Sequence, residues 1–83
     1  MLHAMMFLAL LIIFAGANSA LADWKSDCLN GVALIKAELR KKHPQAVLDE
    51  LQKALDRVQI EVMENDWVEC REYIAAARKT LQK

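Results

Sequence analysis

The chain has 83 residues, 55% of them apolar, and its 11 basic residues balance 11 acidic ones. That length holds one small domain and leaves no room for a deep catalytic cleft beside a large core. A net charge of zero argues against nucleic-acid binding, which shows a basic excess.

Apolar and charged residues are segregated along the chain. Residues 1–22 contain no Asp, Glu, Lys or Arg, and Met5 to Ala15 is an unbroken apolar run. Such a run fits the h-region of a signal peptide. Gly16, Asn18 and Ser19 interrupt it, Ala20-Leu21-Ala22 places small residues at −3 and −1, and Asp23 follows at once. These features predict a signal peptide over 1–22, cleaved after Ala22, with Ala15-Gly16-Ala17 as a second candidate site. The n-region offers only His3 and the terminal amine, so the alternative is an uncleaved anchor at the short end of what spans a bilayer. No Cys stands at the junction, which disfavours a lipoprotein. The expected location is secreted or periplasmic, with membrane contact only through an uncleaved leader.

Residues 23–83 form the expected domain. One Gly (Gly31) and one Pro (Pro44) are too little punctuation for a small β-fold. The apolar spacing is helical instead. Cys28, Val32, Ile35 and Leu39 make one stripe. Leu48, Leu51, Leu55, Val58 and Val62 make a second, and Trp67, Cys70, Ile74, Ala77 and Leu81 a third. The prediction is an all-α, up-down-up three-helix bundle with helices over about 24–42, 44–64 and 66–82.

The boundaries have chemical causes. Asp23 or Ser26 can cap the first helix, and Arg40, Lys41 and Lys42 suit its C-terminus. Pro44 stops that helix and fits the first turn of the next. Asp66 caps the third, with Glu69 three residues on as in a capping box. Short connections make neighbouring helices antiparallel.

Two cysteines in an exported chain read as one structural disulfide. Cys28 and Cys70 lie in the first turns of the first and third helices, which an up-down-up bundle makes parallel. Both lie on apolar stripes, so the topology brings the sulfurs to one level. Spacing and ligand number disfavour a redox or metal pair.

Catalytic chemistry is scarce. His43, Ser26 and Thr80 are the only residues of their kinds after the leader, and the bundle puts Ser26 and His43 at opposite poles. There is no phosphate loop, H-E-x-x-H or haem motif. Glu61 with Glu64, and Glu69 with Glu72, read as solvated surface charge. Neither cofactor nor metal is expected, and the chain is expected not to be an enzyme. Trp67 belongs to the core stripe, and Trp24 is expected to cover the disulfide end.

Folding the helices collects Asp23, Asp27, Glu61, Glu64, Asp66, Glu69 and Glu72 at the lower pole, offset by Lys25 and Arg71. Lys36, Arg40, Lys41, Lys42, Arg78, Lys79 and Lys83 collect at the upper pole, offset by Glu38, Asp49 and Glu50. Helix dipoles account for most of this. Glu61 and Glu64 sit at the wrong end of their helix and are expected to pair with Lys25 or Arg71. Arg40, Lys41, Lys42 and His43 precede a helix N-terminus and form a candidate anion site, with His43 adding a proton-dependent charge. Leu34, Ile60 and Val68 lie off the stripes, and with Met63 some of them could form a patch for self-association or a partner.

The expected role is therefore a small exported helical protein that binds an unknown protein or an anionic partner. The alternative is an envelope stress chaperone that loosens at low pH. In general features alone (small, exported, helical, one disulfide) the chain resembles the periplasmic acid-stress chaperones. No motif or residue carries over from them.

Overall fold

The computed structural model describes the backbone of residues 2–82 and the side chains of residues 20–82. Three helices fill it: α1 (Leu2–Glu38), α2 (Gln45–Met63) and α3 (Trp67–Gln82). The side chains of most of the expected signal peptide, residues 1–19, lie outside that description. Among the described residues no helix is long and apolar enough to cross a membrane.

α1 departs from the expected 24–42 at both ends. It does not begin at Asp23 or Ser26 but runs through them from the leader. Both residues can cap a helix only where the preceding chain is non-helical, and Ala20-Leu21-Ala22 favours helix. The C-terminus comes early. Arg40 N–H bonds the Ala37 carbonyl (3.2 Å) and Lys41 N–H the Glu38 carbonyl (3.1 Å), a tightened last turn that releases the chain before Lys42. Only Lys36 lies in the last turn proper.

Pro44 also sits one place earlier than expected. It is the N-cap of α2, with φ −54° and ψ 147°, and it precedes the first helical residue. Its carbonyl accepts from Val47 N–H (2.9 Å) and Leu48 N–H (3.1 Å), which opens the helix.

α2 ends in a Schellman motif. Asn65 takes a left-handed φ of 56°, which Asn tolerates better than most residues. Asn65 N–H bonds the Val62 carbonyl (3.1 Å), and Asp66 N–H bonds the Glu61 carbonyl (2.9 Å). Asp66 Oδ1 then accepts Glu69 N–H at 3.1 Å and caps α3. Three residues thus close one helix and open the next.

The relative directions of the helices follow from paired positions. From the Cys28–Cys70 bond to the Gly31–Ile74 approach both helices advance together, so α1 and α3 are parallel. Arg57 meets Tyr73, and the groove that starts from this pair runs toward Glu50 of α2 and Thr80 of α3, so α2 and α3 are antiparallel.

The core consists of Cys28, Ile35, Leu51, Leu55, Val58, Cys70, Ile74 and Ala77, flanked by Val32, Leu39, Val47, Val62, Trp67 and Leu81. All but Val47 come from the three stripes, and Leu48, expected on the second, is only partly buried and not part of the core. Gly31 sets the closest approach of α1 to α3. A methyl group there would lie 2.5 Å from Ile74 Cγ2 and 2.7 Å from its Cδ1. Glycine is present because the buried Ile74 fills the space a side chain would need.

Candidate functional site

Three surface features carry chemistry. The first is the expected anion site between α1 and α2. Arg40, Lys41 and Lys42 are exposed, and His43 is half-buried. They do not form a free cationic cradle. Lys41 Nζ donates to Glu38 Oε1 at 2.9 Å, and His43 Nε2 lies 2.8 Å from Glu38 Oε2. Glu38 thus engages two of the four candidate residues. Those two hydrogen bonds hold its carboxyl below the usual glutamate range, the Lys41 bond first and the His43 bond second. Arg40 and Lys42 have no ion pair among the described residues.

The second feature is a groove of about 410 Å³ between α1 and α2, lined by Leu29, Val32, Lys36, Gln59, Val62 and Met63. Met63 is 82% exposed at its rim, and Leu29 is exposed as well. Of the residues considered for an apolar patch, Met63 joins this groove. Val68 lies instead in a cleft at the lower pole with Leu21, Trp24 and Trp67. Ile60 is exposed and Leu34 partly buried.

The third feature is the lower pole itself. Trp24 and Trp67 are both half-buried. Each carries a cation from the other helix. Arg71 lies 5.7 Å from the Trp24 ring centre, and Lys25 lies 5.5 Å from that of Trp67. Arg71 also approaches Asp27 at 3.6 Å. Lys25 and Arg71 therefore do not pair with Glu61 or Glu64, contrary to expectation. The reason is geometric: α1 and α3 are parallel, so these cations meet each other's tryptophans before they reach α2.

Glu61 is the larger correction. Expected as solvated charge, it is only 7% exposed. Its carboxylate has no hydrogen bond or ion pair among the described residues. Burial, followed by the charges of Glu64 and Asp66, pushes its carboxyl above the usual glutamate range. Arg57, whose charge acts on Glu61 in the opposite sense, donates Nε–H to the Tyr73 hydroxyl at 2.9 Å and lies 5.3 Å from that ring's centre. One signal for this burial was present: position 61 is three residues past Val58, beside the α2 stripe.

Cys28 and Cys70 are bonded as expected, with Cα atoms 5.6 Å apart. Both side chains are fully buried. Among the described residues, no three His, Cys, Asp or Glu side chains are arranged to hold a metal ion. No known protein family, curated protein or solved structure matches this chain.

Proposed function

We propose that residues 23–83 are an exported, disulfide-stapled helical module that acts by binding a protein partner rather than by catalysis. The groove between α1 and α2 carries this reading. Its walls are the apolar side chains of Leu29, Val32, Val62 and Met63, and Met63 stands 82% exposed at the edge. Flexible methionine at an open apolar surface suits recognition of another apolar surface. The disulfide supports an extracytoplasmic location, since such bonds persist where the surroundings are oxidising.

The test is a photo-crosslinking residue placed at Met63, with a control at Lys53 on the α2–α3 side. One partner captured from position 63, absent from the control, and lost on Leu29→Glu with the fold intact supports the reading. Equal labelling at both positions contradicts it.

The chaperone alternative draws support from Glu38. Its carboxyl is held below the usual range, so the stability it contributes is lost as pH falls through that lowered value. Glu61 acts in the opposite sense, and the exported binding module is therefore the preferred reading.

A further inference from the structure

We propose that Glu61 is a proton-binding site that tightens the α2–α3 end of the bundle as the medium acidifies. The Schellman turn creates it. Asp66 N–H on the Glu61 carbonyl folds the chain back on the end of α2, and the Asp66 carboxylate turns to Glu69 N–H at the start of α3. Glu64 is the C-cap of α2, and Glu69 stands in the first turn of α3.

The charges facing Glu61 are unbalanced. From α2 come Glu64 and Arg57, from the connection Asp66, and from α3 Glu69. Arg57 is directed to the Tyr73 hydroxyl. From α1, Lys25 is stacked on Trp67 and Asp27 is paired with Arg71. Glu61 is thus 7% exposed, with neither a cation nor a hydrogen-bond donor bound to its carboxylate among the described residues. No deeply buried polar atom lacks a partner among those residues. The Glu61 carboxylate therefore keeps an edge in contact with solvent, by which a proton can arrive.

A charged carboxylate with this burial and these neighbours is disfavoured, and its neutral form is not. The folded state accordingly binds the Glu61 proton more tightly than the unfolded chain does. The resulting stability is fully present below the ordinary glutamate value and is lost as pH rises through the raised one. Acid then strengthens this end of the domain, whereas it weakens the Glu38 cluster at the other end.

The experiment is a carbon-detected NMR titration of the glutamate side chains in the exported protein as isolated, run beside urea unfolding at several pH values. Glu61 should titrate above every exposed glutamate. The folded-to-unfolded ratio should rise as pH falls from neutral toward the ordinary glutamate range. Glu61→Gln should remove that rise and be the more stable protein at neutral pH. Glu69→Gln should move the Glu61 midpoint down toward the ordinary value. A Glu61 midpoint among those of the exposed glutamates overturns the proposal, as does an unchanged pH slope in Glu61→Gln. The wild-type titration decides even where a variant fails to fold.

Discussion

The guanidinium of Arg71 in α3 lies 5.7 Å from the centre of the Trp24 ring in α1. Lys25 in α1 returns the arrangement on Trp67 in α3. Both contacts fall within about one helical turn of Cys28 and Cys70, so a covalent and two cation–π ties hold the same end of one helix pair. Arg71→Ala and Lys25→Ala should each lower the unfolding free energy by about 0.5–1 kcal/mol at these partly exposed rings. The Asp27 pair on Arg71 is exposed and adds little. Urea midpoints of the oxidised protein test this. No change at either position would mean that the stacking is energetically idle.

Gly31→Ala sets two effects against each other. Alanine favours the helix by about 0.8–1 kcal/mol. The added methyl would lie 2.5 Å from Ile74 Cγ2, and overpacking costs about 1–3 kcal/mol. Ile74 is buried and stiff at its branched Cβ, so the cost should win and the variant should be less stable. In a double-mutant cycle, Ile74→Ala should recover part of that loss. Additive effects would show that the two positions do not compete for one space.

The disulfide closes a sequence separation of 42 residues. Chain entropy assigns such a loop about 4 kcal/mol, a large share for a domain this small. Cys70→Ser should be far less stable than the oxidised protein, read from its unfolding midpoint. Equal midpoints would mean that the closely packed α1–α3 interface suffices by itself.

At the upper pole, Glu38→Gln removes the carboxylate that engages Lys41 and His43. Two outcomes should follow. The stability difference from wild type should shrink as pH falls through the lowered Glu38 value, because the wild type then loses the same interaction. Phosphate should also bind more strongly, with amide shifts confined to Lys42 through Val47 and reduced by added salt. Unchanged phosphate binding would argue against an anion site formed by Arg40, Lys41, Lys42 and His43.

Much of the architecture was legible in the residue pattern. The stripes through Ile35, Leu51 and Ile74 identify three helices, and the parallel placement of the first and third brings Cys28 to Cys70. What escaped depended on helix directions and on competition between neighbours. Asp23 and Ser26 have capping chemistry, yet capping needs a break in the chain before them that Ala20-Leu21-Ala22 does not provide. The Arg40–His43 run reads as a cationic loop until Glu38 is seen to reach two of its members. Glu61 reads as a surface acid because its residue type outweighed its position beside Val58. Gly31 reads as punctuation, although its role is to admit Ile74.

The central claim is that this is an exported domain closed by the Cys28–Cys70 bond. Intact mass of the protein recovered from the extracytoplasmic fraction, without reductant, tests it most directly. The predicted product begins at Asp23 and is two hydrogens lighter than the dithiol. A chain that retains Met1, stays inside the cell and carries two free thiols would contradict it.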